Sequence, residues 1–91
     1  MTTQVALETK LDSGAVDKLR TDLLAVQDSD VVLDGSAVEQ LGGLCLELLM
    51  SVRHLWAAAG HSVTIENPSE QMLDDLGRFG LTHDDFKGRP A

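Results

Sequence analysis

The stretch from Leu41 to Ala59 constrains this chain most. Leu41, Leu44, Cys45, Leu48, Val52, Leu55, Trp56 and Ala59 fall on one side of a 3.6-residue wheel. That spacing predicts a long helix over about 40–59 with these residues as its core face, stopped by Gly60 at the usual left-handed position. Leu46, Leu49 and Met50 lie beside the stripe, and the apolar arc reaches about two-thirds of the circumference. Glu47, Ser51 and His54 form the polar side, and Arg53 interrupts the arc. In a chain of 91 residues a helix seldom finds neighbours for that much girth. Two outcomes are therefore open. Another chain covers Leu46 and Met50, or the flanking helices cover Leu49 and leave the other two as scattered exposure.

The flanking segments alternate in period. Val5 and Leu7 are two apart, as on a strand with one buried face. Asp12 and Ser13 supply capping chemistry, and Val16, Leu19, Leu23 and Val26 recur at helical spacing over about 14–26. Val31-Val32-Leu33 is apolar throughout and predicts a central strand buried on both faces, closed by the turn residues Asp34-Gly35-Ser36. Ser62–Glu66 alternates again. Asn67-Pro68-Ser69-Glu70 is a helix start, with Asn67 as cap and Pro68 at the first helical position. Met72, Leu73, Leu76 and Phe79 form that helix's expected buried face, with Gly77 or Gly80 as its stop. The order β-α-β-α-β-α predicts an α/β domain: a small, mostly parallel sheet of about 3–4 strands carrying three helices. One domain is expected over 1–81. The polar stretch 82–91 is expected to be a mobile tail, with Phe86 the one residue able to pin it.

Charge and composition exclude several functions. Fifteen acidic residues against seven basic give −8, which disfavours a phosphate backbone as partner, so no nucleic-acid binding is expected. One cysteine cannot make an internal disulfide and fits a reducing compartment. No membrane-spanning run and no secretory signal is visible, so a cytoplasmic protein without membrane insertion is expected. His54, His61, His83 and Cys45 match no metal-ligand spacing, and Cys45 sits mid-stripe as a buried thiol. Asp34 ends the central strand, where α/β proteins often place function. It lacks the acidic cluster and lysine of a phosphoacceptor site, and reads as a turn cap or a partner contact. Gly42-Gly43 exposes backbone N–H groups at a helix start, but neither a P-loop Lys-Ser/Thr nor G-x-G-x-x-G accompanies it. Two small residues there suit the close approach of a partner. No catalytic residue, metal or cofactor is expected.

Several pieces together resemble a STAS domain, the fold of anti-sigma-factor antagonists, over about residues 4–81. They are Leu11-Asp12 to Leu19-Arg20, Val31 to Glu39 running into Gly42-Gly43-Leu44, the strand leading to Asn67-Pro68-Ser69, and Leu76-Gly77-Arg78-Phe79-Gly80-Leu81. The family's signature at the long helix is Asp-Ser/Thr-Ser/Gly-Gly-Leu. Here Gly43 and Leu44 match it, while Gln40, Leu41 and Gly42 stand at the aspartate, threonine and phosphoserine places. The resemblance thus implies a domain without the usual phosphorylation site. A second departure is the start: the family begins with two strands, and only one is legible before the first helix, leaving a shortened sheet edge open to docking. Glu39–Met50, Trp56 and Asn67–Glu70 are similar to small stand-alone STAS proteins of bacterial chemotaxis operons. That similarity implies a non-enzymatic regulator docking on a chemotaxis histidine kinase. The alternatives are the STAS subunit of an ABC lipid transporter, bound to its ATPase, and an anti-sigma-factor antagonist. An enzyme or nucleotide binder is the reading from a different class. The expected partner-binding residues are Asp34, Ser36, Glu39, Gln40, Leu41, Gly42, Gly43, Leu46 and Met50.

Overall fold

In the computed structural model, which describes residues 2–86, two periodicities produce two layers. Strands β1 (Thr2–Ala6), β3 (Asp30–Asp34) and β5 (Val63–Glu66) form one parallel sheet in the order β1-β3-β5. The inward row runs Val5, Leu33, Ile65, with Thr3, Val31 and Val63 beside it. Helices α1 (Val16–Leu24), α2 (Gly43–Ala58) and α3 (Glu70–Arg78) complete the α/β fold. Short 3-10 turns at Ser13–Ala15 and His83–Phe86 flank this set.

The central strand is covered on one face only. Val31 and Leu33 are fully buried while Val32 is half-buried, and Val32 stands in a row between Gln4 and Thr64. The expectation of two buried faces is corrected: three neighbouring β-branched or aliphatic residues fit a two-layer sheet just as well, because only alternate ones need the core.

The start of the chain holds two strands, not one. Lys10–Leu11 (β2) pairs in parallel with Gln40–Leu41 (β4) as a separate two-residue ribbon. Two residues carry no period, so this strand has no sequence signature. Its pairing also takes Gln40 and Leu41 out of the helix, which begins at Gly43 with Gly42 as cap. The three-strand sheet still ends at β1, because β2 pairs with β4 in the separate ribbon.

Capping follows the sequence in part. The Asp12 carboxylate accepts from Gly14 N at 3.0 Å, and Gly60 (φ 85°) terminates α2. At α3 the cap is Ser69, whose hydroxyl accepts from Met72 N at 3.0 Å. Asn67 instead takes a left-handed backbone (φ 50°), a conformation asparagine tolerates, and swings the chain into the helix. Gly35 lies where the turn after β3 meets α3. A Cβ there would come within 2.6 Å of the Met72 sulfur and 3.2 Å of Pro68 Cα. Met72 is fully buried and has little room to move. Gly35→Ala is therefore expected to destabilise the domain by about 1–3 kcal/mol, read by urea denaturation; an unchanged midpoint would contradict the packing at this corner.

The chain does not go loose at Thr82. Phe86 is 1% exposed, the Arg53 guanidinium lies 5.4 Å from its ring centre, and Arg53 donates to the Asp85 carbonyl. His83 bonds the Ile65 carbonyl on the outer side of β5, and Thr82 N donates to the Asp85 carboxylate. The expected tail is therefore docked structure through Phe86. Its remainder, 87–91, lies outside the described residues.

Candidate functional site

Helix α2 faces the core through Cys45, Leu46, Leu49, Val52 and Trp56. The expected face is rotated by part of a turn: Leu44 and Leu55 are 56% and 61% exposed. Leu46 and Leu49, placed beside the stripe by sequence, are buried. The reason is the helix's surplus of leucines. With apolar residues on most of its girth, the pattern alone does not say which arc turns inward. In the structure Leu46 and Leu49 turn inward beside Cys45, Val52 and Trp56, and the Trp56 indole N–H donates to the Ser29 carbonyl at 3.1 Å.

The start of α2 is held from two sides. Gly42 N donates to the Leu11 carbonyl at 2.8 Å, and the neighbouring Leu41 N donates to the Asp75 carboxylate of α3, also at 2.8 Å. Asp75 is 5% exposed and further accepts from Gln71 Nε2 at 3.0 Å. It takes the inward place expected for Leu73, which is 41% exposed. One turn beyond Asp75, Phe79 stands beside Gly43, 3.7 Å from where a Cβ would lie. Phe79 is half-exposed, not buried as its spacing suggests. The result is an open groove between α2 and the end of α3. Gly43, Leu46, Met50, Phe79 and Leu81 line it, together with the polar Glu47 and Ser51.

Of the expected partner-binding residues, the groove gathers Gly43, Leu46 and Met50. Leu46 is 4% exposed, so it serves as the groove's wall from within the core, which corrects its reading as free surface. Leu41 is likewise buried, anchored by its strand pairing, and Gly42 is half-buried. A Cβ on Gly42 would press to 3.1 Å from the Leu11 carbonyl, so any side chain at this matched phosphoserine place is crowded. Glu39 and Gln40 are exposed, their backbone N–H groups both donating to Thr9 O. Asp34 and Ser36 do not line the groove. Ser36 N donates to the Asp34 carboxylate at 3.0 Å, making the turn cap, and that bond holds the Asp34 carboxyl below its ordinary pKa. Phe79 and Leu81 are the residues missed by sequence. The signal was Asp75: once a carboxylate is placed at the helix start, Phe79 follows one turn later.

The candidates for chemistry stay apart. His54 is exposed, His61 lies 3.5 Å from Asp30, and His83 is spent on Ile65. Cys45 is fully buried, its thiol 3.3 Å from the Asp12 carbonyl. Burial, and then the Asp12 charge, pushes that thiol's pKa up, away from nucleophilic character. Among the described residues no group of three or more His, Cys, Asp or Glu is placed to hold a metal. No described helix is long and apolar enough to cross a membrane.

Comparison with known families decides the affiliation. A family model described as "Mlab, STAS domain" matches residues 1–87. The chain belongs to the STAS family. No curated protein matches it. As a STAS domain it falls in a class of regulatory modules that bind other proteins and are typically not enzymes. Gln40-Leu41-Gly42 departs from the signature that the resemblance carries. The helix start that carries the family's switch is here built of glycine and backbone bonds.

Proposed function

We propose that this STAS domain is a cytoplasmic, non-enzymatic regulator that docks through the α2–α3 groove on a histidine kinase of the chemotaxis type. The kinase comes from its resemblance to stand-alone chemotaxis STAS proteins. The groove carries the docking part. It joins a half-exposed phenylalanine, a half-buried methionine and a bare glycine at the helix start that the family signature marks. Adaptable Met and rigid Phe are side chains that suit a protein interface. Covering either contributes roughly 1.5–3 kcal/mol before the costs of association. Glu39 and Gln40, exposed just before α2, extend the surface. Asp34 and Ser36 belong to it only if the partner reaches past the groove. With no hydroxyl at residues 40–42, the interface is fixed and not switched by phosphate.

Capture of the tagged domain from native cells, followed by identification of the bound protein, tests the partner. A histidine kinase is expected. A transporter ATPase or an anti-sigma factor in its place contradicts the kinase reading while leaving the docking face standing.

A further inference from the structure

The sheet ends differently on its two sides. Beyond β5 the edge is taken, since the turn His83–Phe86 packs against it and His83 Nε2 bonds the Ile65 carbonyl. Beyond β1 no strand pairs among the described residues. Leu7 N donates to the Asp34 carbonyl at 2.9 Å. Successive residues of a strand bond to opposite sides, so Thr3 and Val5 face β3 as Leu7 does. Gln4 and Ala6 therefore aim their N–H and C=O groups away from the sheet. Strand β1 reads Thr-Thr-Gln-Val-Ala, with no charge and no proline. Charges, prolines and bulges are the devices that keep a foreign strand off such an edge. The inward row is also unfinished there: Leu33 and Ile65 are buried, while Val5 at its end is half-buried. No residue of β1 lines the groove.

We propose that an extended, basic segment of another protein adds to the sheet as a strand beside β1. The open row of N–H and C=O groups calls for an extended backbone, whose main-chain hydrogen bonds hold it in place. An apolar residue on the segment's inward face covers Val5. Its basic character follows from the outer face. Val31, Leu33, Val63 and Ile65 turn inward, so the alternate residues Asp30, Asp34 and Glu66 turn outward. These three acids are the only charged residues on the three strands. The Asp34 carboxylate is fixed by Ser36 N at 3.0 Å. In register, Thr2 lies beside Asp30, and Ala6 lies beside Asp34, which lies beside Glu66. Thr2 and Ala6 are small and exposed. An added strand runs about 5 Å from β1 and about 10 Å from β3, so a lysine or arginine laid across Ala6 reaches Asp34. A second cation four residues away crosses Thr2 to Asp30 on the same face. The same acids, on a chain of charge −8, disfavour a second copy of this chain as the occupant.

Amide NMR of the intact labelled chain, titrated to millimolar with the blocked peptide Thr-Lys-Val-Thr-Val-Lys-Thr, tests this. The peptide carries two lysines four apart on one face and valines on the other. The Gln4 and Ala6 amide protons are expected to move downfield and to exchange about tenfold more slowly, while Thr3, Val5 and Leu7, already bonded to β3, change little. Glutamates in place of both lysines are expected to weaken binding about tenfold. N-methylation of the peptide's alternate amides is expected to abolish it. Asp34→Asn keeps an oxygen for Ser36 N and is expected to weaken binding about threefold. Gln4→Pro removes an outward N–H that β3 does not use, and is expected to abolish binding while Leu7 N stays protected. Unmoved Gln4 and Ala6 amides, or equal binding of the lysine and glutamate peptides, would overturn the proposal. So would shifts confined to Gly43 and Met50, which place the peptide in the groove, or Gln4 and Ala6 shifts that grow with protein concentration alone, which place a second copy on the edge.

Discussion

Asp75→Ala is expected to lower the domain's stability by about 2–4 kcal/mol in urea denaturation. The carboxylate is 5% exposed, and it accepts from Leu41 N and from Gln71 Nε2. Its removal leaves a strand N–H without its acceptor beside the start of α2. A buried donor left unsatisfied costs about 1–3 kcal/mol, and a hydrogen bond to a charged group contributes about 1.5–3 kcal/mol. The Arg78 guanidinium, 3.7 Å away and 75% exposed, adds little. Asp75→Asn keeps an oxygen for Leu41 N and is expected to lose less than half as much. The effect reaches function as well. Asp75 is the tie that sets α3 against the helix start and so stands Phe79 over Gly43. A loss below about 0.5 kcal/mol would show that the tie is not what holds the groove.

Phe86→Ala is expected to cost more, about 3–5 kcal/mol, the range for removing a buried aromatic ring. For a domain of this size that is a large part of a total near 5–15 kcal/mol. The ring is 1% exposed and lies under Arg53. Its loss frees the turn that closes the outer side of β5 through His83. If the variant melts within about 1 kcal/mol of the parent, the structural unit ends near Leu81 and the docked turn contributes nothing to stability.

How much of this was legible in the sequence depends on whether a segment was long enough to show a period. Helices α1, α2 and α3 and strand β3 were, because Leu19/Leu23, Cys45/Val52/Trp56, Met72/Leu76 and Val31/Leu33 repeat at their own spacings. The ribbon of Lys10–Leu11 and Gln40–Leu41 was not, since a two-residue strand is specified by its partner and not by its own pattern. The inward arc of α2 was misplaced for the opposite reason. Leucine is so abundant there that Leu44 and Leu55 looked as suitable for the core as Leu46 and Leu49. The candidate site was half legible: Gly43 and Met50 carried through. Phe79 did not, because its exposure depends on a carboxylate, Asp75, that no hydropathy pattern would place inside. Ser69 displaced Asn67 as cap for a local reason, as Asn67 is needed in the left-handed turn that precedes it.

The central claim is that the domain works by lending the α2–α3 groove to another protein. Its most direct test is the affinity of the captured partner for the parent domain and for Phe79→Glu and Met50→Glu, by titration calorimetry at matched thermal stability. Phe79 is 50% exposed and Met50 half-buried on the groove wall, so a carboxylate at either place alters the groove while the core behind it stays apolar. The account predicts that each variant keeps its fold and loses at least tenfold in affinity. Undiminished binding by both folded variants would contradict it.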